Sequence, residues 1–102
     1  MTEPLPTLRR DALFAGAPGA VAALLEPALA QVAGEGVFPV SLTLDYANAG
    51  RPGEAVVVEA WVERATRSLV FVHGKLGRSG DGALLAQAAA VFRRGMDAAP
   101  RA

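Results

Sequence analysis

Hydrophobic positions along this chain change their spacing after residue 36. Between Pro18 and Ala33 they fall at Val21, Leu24, Leu25, Ala28, Leu29 and Val32, steps of three and four that gather one apolar stripe on a helix. Pro18 suits a first turn, where its missing N–H would have no partner in any case, and Gly34 suits a stop. The pattern predicts a helix over about 18–33. In VFPVSLTLDYAN the step becomes two, with Val40, Leu42, Leu44 and Tyr46 alternating with Ser41, Thr43 and Asp45, as in a half-buried strand. Gly50-Arg51-Pro52-Gly53 is a turn, and EAVVVEAWVER then places Val56, Val58, Ala60 and Val62 on one strand face. RSLVFVHGKL alternates again, and RSGDG reads as a loop or hairpin turn centred on Asp81-Gly82. ALLAQAAAVFRRG carries Leu84, Leu85, Ala88, Val91 and Phe92 at helical spacing, and on its own predicts a helix. Residues 1–15, with two prolines and mixed charge, read as an arm or a short turn of helix, and 97–102 as a flexible tail.

Two residues break the helical pattern. Glu26 is the one charge in the stretch from Gly16 to Gly34. Burying an unpaired carboxylate costs several kcal/mol, so Glu26 must be wet, paired or protonated. Pro27 follows it, and inside a helix a proline removes one hydrogen bond and presses on the carbonyl four residues back, that of Ala23, at a cost of about 3 kcal/mol. A bent or opened helix is therefore expected beside the acid. Ala22, Ala30 and Ala33 share the flank of Glu26, leaving room for another backbone or a ligand.

Composition narrows the class. The length of 102 residues fits one domain of 16–96 between the arm and the tail, and 52% apolar against 20% charged residues is a globular balance rather than a disordered one. A formal net charge of zero argues against nucleic acid as a partner. The charge is unevenly spread. Residues 1–63 carry three Lys/Arg and eight acids, and residues 64–102 carry seven basic residues with Asp81 and Asp97. A basic last third suits a small anionic ligand better than a long track. Without cysteine there is no disulfide, thiolate metal site or thiol nucleophile, which fits a reducing cytoplasm. The apolar run that stops at Glu26 falls short of a membrane span.

The common catalytic motifs are missing. His73 is the only histidine and sits on a strand face with Leu69 and Phe71, where a structural role is expected. Ser68 and Ser79 lack the strand–elbow–helix spacing of a hydrolase nucleophile. GRSGDG has no lysine and opens no helix, so it is no phosphate loop. No cluster with metal-ligand spacing occurs.

Helix first, then antiparallel strands joined by short turns, resembles a hotdog domain. The strings FPVSLTLDYANAGRPGEAVVVEAWVERATRSLVFVHGKL and SGDGALLAQAAAVFRRG resemble the hotdog thioesterases of the phenylacetate-degradation and 4-hydroxybenzoyl-CoA type over about residues 17–95. The resemblance implies an α+β fold in which a central helix is wrapped by a curved antiparallel sheet of four to five strands. It also implies that 83–94 is a strand, against its helical spacing. In the family a His-Gly-Gly stretch precedes the helix, with an acid nine residues after the histidine. Ala17-Pro18-Gly19 stands at that stretch here. Glu26 then matches the catalytic carboxylate, as base or nucleophile, and Gly19 the glycine whose backbone N–H polarises the thioester carbonyl. Ala17 replaces the histidine, and Ala30 stands where a hydroxyl is often found.

The activity so implied is hydrolysis of an acyl-CoA thioester, with no cofactor beyond the coenzyme A that arrives in the substrate. Arg51, Arg67, Ser68, Lys75, Arg78 and Arg93 are the candidates for its phosphates. The partners implied are the acyl-CoA and further copies of the chain, as a homodimer or homotetramer that covers Trp61 and leftover apolar faces. Neither nucleic acid nor membrane is expected. The losses at Ala17 and Ala30 keep a second possibility open, a catalytically impaired hotdog protein that binds acyl-CoA or serves as a structural subunit. A dehydratase or hydratase, which needs a His–acid pair on the helix, ranks last.

Overall fold

A computed structural model of the chain describes residues 5–95. In chain order the elements are strand β1 (Thr7–Leu13), helix α1 (Ala20–Ala33), and strands β2 (Val37–Tyr46), β3 (Ala55–Ala65), β4 (Leu69–Arg78) and β5 (Leu84–Arg94). The five strands form one antiparallel sheet in the order β1-β3-β4-β5-β2. The helix lies on one face and packs mainly on β3 and β4.

The period-two pattern decides which face the helix meets. Val56, Val58, Ala60 and Val62 of β3 and Val70, Val72 and Leu76 of β4 are buried beneath Leu25, Ala28, Leu29 and Val32 of the helix. Gly74 of β4 completes the seat. A Cβ there would stand 3.0 Å from both Leu29 Cδ2 and the Glu59 carbonyl, so a residue without a side chain lets the helix come down onto the sheet. Ala86, Ala88 and Ala90 of β5 play the same part further along.

Two elements differ from what residue spacing alone predicts. β5 is a strand although its pattern is helical, in line with the family resemblance. It lies between β4 and β2 with its backbone committed to both ladders, and that tertiary pairing outweighs the helix preference of alanine and leucine. Residues 1–15, expected as an arm or a turn of helix, hold β1, which pairs with β3 from Thr7↔Trp61 to Leu13↔Ala55. The expected tail, 97–102, lies outside the described residues.

The helix runs from Ala20 to Ala33 with Pro27 inside it. Ala23, whose carbonyl loses its usual partner to Pro27, is exposed, as is Pro27 itself. Water can hydrate that carbonyl, so the proline is accommodated without ending the helix. Gly34 closes it as expected, its N–H donating to Ala30 O (3.3 Å). Among the described residues no helix is long and apolar enough to cross a membrane.

Candidate active site

The helix begins in a turn that has no side-chain cap. Gly19, at the N-cap, is left-handed (φ 86°), a conformation that suits glycine. Ala20 N–H donates to Ala17 O (2.9 Å) and Ala23 N–H to Gly19 O (2.9 Å). Among the described residues the N–H of Gly19 has no hydrogen-bond partner. The first donors of a helix stand at its positive end and favour an anion or a developing oxyanion. This turn opens on a cleft of about 400 Å³ lined by Phe14, residues 16–21, Tyr46, residues 48–50 and Leu85.

Glu26 follows Gly19 by seven residues, just short of two full turns, so the two share one flank of the helix, about 10 Å apart along its axis. Ala22, Ala30 and Ala33 lie on that flank too. Gln31, on the opposite flank, accepts a hydrogen bond from Arg10 of β1. The Glu26 flank therefore leans away from β1, towards the β5–β2 side of the sheet. Glu26 is exposed, and among the described residues its carboxylate has no ion pair or hydrogen bond. It does not line the cleft at the helix end. Of the three states open to it in the sequence, the single chain shows the wet one.

Five of the six candidates for coenzyme A phosphates divide between the two ends of the sheet. Arg51 and Arg78 stand at the end where the helix starts. Arg67 and Ser68, in the β3–β4 turn, and Arg93, near the end of β5, stand at the other. β4 separates the two groups by about 30 Å at the usual strand rise, so within one chain they cannot hold one phosphate group. Lys75 projects from the sheet face opposite the helix, paired with Glu59 (3.6 Å), which also pairs with Arg9 (3.3 Å).

Arg78 is already engaged. Its Nε donates to Glu54 Oε2, its Nη1 to Asp81 Oδ2 (3.3 Å) and its Nη2 to the Ala49 carbonyl (3.2 Å). The second Glu54 oxygen accepts the N–H of Arg51 (2.9 Å). The Arg51 N–H, followed by the Arg78 guanidinium, holds the Glu54 carboxyl below its ordinary range. The Ala83 N–H, and then Arg78, do the same for Asp81. Glu54 raises the guanidinium in return. All three groups are thus charged at neutral pH.

His73, the lone histidine, lies on the sheet face away from the helix. It stands edge-on to Trp61, with ring centroids 6.1 Å apart, and 3.6 Å from Glu63, which accepts the Trp61 indole N–H (3.0 Å). These contacts lie remote from the helix start. Among the described residues no group of three or more His, Cys, Asp or Glu is placed to hold a metal ion.

Tyr46 and Leu85 entered the sequence reading only as members of an apolar pattern, and Phe14 and Asn48 not at all, yet all four wall the cleft at the helix end. Tyr46 ends the alternating run of β2, and its 67% exposure is the trace that a strand position facing the helix has no helix above it.

The sequence profile of the acyl-CoA thioesterase N-terminal domain family matches residues 8–93. No curated protein matches the chain in sequence. Solved structures with the same fold include zebrafish thioesterase superfamily member 2, 20% identical, over 93% of this chain and 79% of that one at a TM-score of 0.78. A hypothetical thioesterase from Streptococcus pneumoniae, solved with coenzyme A, is 10% identical over 90% and 80% at 0.79. The Escherichia coli PaaI protein of the phenylacetic acid degradation operon is 12% identical over 92% and 80% at 0.79. At these identities the likeness is one of fold, and the fold is the hotdog that the residues led us to expect.

Proposed function

The chain belongs to the acyl-CoA thioesterase N-terminal domain family, and from that premise we propose that Glu26 and the Gly19 amide carry out the hydrolysis. One observation carries the assignment: an unpaired backbone donor and an unpaired carboxylate share one helix flank. A thioester is an activated acyl group with a thiolate leaving group, so an acid and an oxyanion donor suffice without a metal. As base, the Glu26 carboxylate takes a proton from water while the water oxygen adds to the carbonyl carbon. The negative oxygen of the tetrahedral adduct accepts the Gly19 N–H, and collapse expels the coenzyme A thiolate, which receives the proton back from Glu26. As nucleophile, the same carboxylate would add to the carbonyl carbon and expel the coenzyme A thiolate, leaving an anhydride that water then opens to the free acid and the carboxylate.

The separation of the two groups adds a condition. An oxyanion donor stands about 3 Å from the oxygen it stabilises, and about 10 Å of helix lies between Gly19 and Glu26. We infer that the acid and the amide that share a substrate come from two copies, which brings both to one carbonyl without spanning that length of helix. A homodimer is the smallest assembly that meets this condition, and it gives the exposed Glu26 a cleft to face. A tetramer of two such dimers meets it equally. Within that assembly Arg51 and Lys75, with Arg67, Ser68 and Arg93 from the far end of a neighbouring copy, are the cations and hydroxyl left to receive coenzyme A phosphates.

The second reading, a protein that binds acyl-CoA without cleaving it, draws on Ala17 in the position of the family histidine. Steady-state turnover over a panel of acyl-CoA thioesters decides between them. Hydrolysis that falls at least about a hundredfold in Glu26→Gln, a loss typical of removing a general base, supports the mechanism. Turnover unchanged by that substitution rules Glu26 out, and tight coenzyme A binding with no turnover across the panel favours the binding protein.

A further inference from the structure

Arg78 was a candidate for coenzyme A phosphates, but its surroundings fit another task. Its side chain is one-quarter exposed, and its three nitrogens reach two separate segments at the same end of the fold. Glu54 and the Ala49 carbonyl belong to the loop between β2 and β3, and Asp81 to the turn between β4 and β5. A guanidinium spent on two carboxylates and a carbonyl has little left for an incoming phosphate.

What this network holds in place leads to the helix start. Glu54 fixes the loop a second time by accepting the Arg51 N–H. The loop is then joined to the segment before the helix through Phe14 N–H to Glu54 O (2.8 Å) and Gly53 N–H to Phe14 O (2.6 Å). Two close approaches lock the same pair of segments together. A Cβ on Gly16 would come within 2.5 Å of Pro52, and one on Gly50 within 2.7 Å of the Phe14 ring. Three residues beyond Gly16 is Gly19, whose N–H faces the reaction in the mechanism above.

We propose that Arg78, Glu54 and Asp81 form a latch that sets the position of the Gly19 amide. Arg78 is then a positioning residue for hydrolysis and not a ligand of the coenzyme A phosphates. The inference rests on the oxyanion role of Gly19 for its catalytic consequence, and on the contacts alone for its structural one. Oxyanion stabilisation depends on donors held rigidly where charge develops, and a shift of about 1 Å from a distant substitution can cost about a hundredfold in rate. The charged state of both carboxylates at neutral pH keeps the latch closed there.

The test uses the full chain as wild type, Glu54→Gln, Arg78→Met and Arg78→Lys. Each is assayed on an acyl-CoA and on the matching acyl-N-acetylcysteamine thioester, which lacks the nucleotide and its phosphates. The Gly19 amide is followed by nitrogen–proton NMR and hydrogen exchange. The latch predicts that Glu54→Gln and Arg78→Met lose about tenfold or more in kcat on both thioesters with little change in KM. It also predicts that the Gly19 resonance moves and exchanges faster, and that Arg78→Lys recovers part of both effects. A loss confined to KM for the acyl-CoA, with the small thioester unaffected, would make Arg78 a phosphate ligand and overturn the proposal. So would a Gly19 amide that none of the variants disturbs. If the wild type hydrolyses neither thioester, the catalytic reading of Gly19 falls, and the amide measurement still decides the latch.

Discussion

Replacing Gly16 with alanine imposes two separate costs. Its backbone is left-handed (φ 81°), and a Cβ there would lie 2.5 Å from Pro52 Cγ and 2.9 Å from Pro52 Cα. The first cost is conformational, about 1–2 kcal/mol for a residue with a side chain in that region. The second is crowding against proline atoms that have no rotamer to yield, about 1–3 kcal/mol. About 0.4–1 kcal/mol returns because alanine stiffens the unfolded chain. The net loss is about 2–4 kcal/mol, a large share of the 5–15 kcal/mol by which domains of this kind are stable. Gly53 supplies the control. Its φ is 80°, and nothing lies within 4 Å of the place its Cβ would take, so Gly53→Ala carries the conformational cost alone, about 1 kcal/mol or less after the same return. Urea denaturation of both variants followed by circular dichroism measures the difference. Gly16→Ala should be the less stable by about 1–3 kcal/mol, and should unfold about 4–8 °C lower for each kcal/mol. Equal losses in the two variants would show that the turn before the helix does not press on the β2–β3 loop, and the route from Arg78 to Gly19 would lose its tightest link.

Leu25 is fully buried between helix and sheet, so Leu25→Ala should cost about 2–5 kcal/mol in the same denaturation experiment. Pro27→Ala restores an N–H for the exposed Ala23 carbonyl and should raise stability by about 1–2 kcal/mol, less than the full proline penalty because the unfolded chain also gains freedom. A drop in turnover alongside that gain would show that the proline shapes the approach to Glu26. Acid should weaken the fold through the latch. Glu54 and Asp81 are held below their ordinary values of 4.5 and 3.8, so in that range the unfolded chain binds more protons than the folded one. Their contribution is complete above the ordinary values and drains away as pH falls through the lowered ones. Denaturation midpoints measured down the acid range should fall less steeply in Glu54→Gln than in the wild type.

Much of the architecture is legible in residue spacing because one face of each central strand is buried. Val56, Val58, Ala60 and Val62 could face nothing but a core, and the helix stripe that covers them has the complementary period. β1 escapes notice for a physical reason. It is an edge strand with only Leu8 and Ala12 half-buried against the helix side, and the position between them is Arg10, held by Gln31. A strand whose inward face carries an arginine has no alternating signature. β5 misleads in the opposite direction, since the alanines that let a helix lie close to the sheet are also the residues that favour helix. The site is legible only in part. The spacing from Gly19 to Glu26 places both on one flank, but the partners of Arg78 come from residues 24 and 29 positions earlier in the chain, and no local pattern announces them. Glu26 does not line the cleft at the helix start, and the proposed meeting of two copies is not something a single sequence displays.

Mixing two inactive variants tests the central claim most directly. Glu26→Gln keeps the amide and lacks the acid, and a semisynthetic chain with glycolic acid in place of Gly19 keeps the acid and the left-handed backbone (φ 86°) but carries an ester oxygen where the N–H was. If acid and amide meet at one thioester from two different copies, re-associating equal amounts of the two should restore acyl-CoA hydrolysis to about one quarter of the wild-type level. Half of the dimers then pair unlike chains, and one of the two symmetry-related sites in each is intact. A mixture as inactive as its components, although mixed dimers form, would show that the two groups do not act together on one carbonyl.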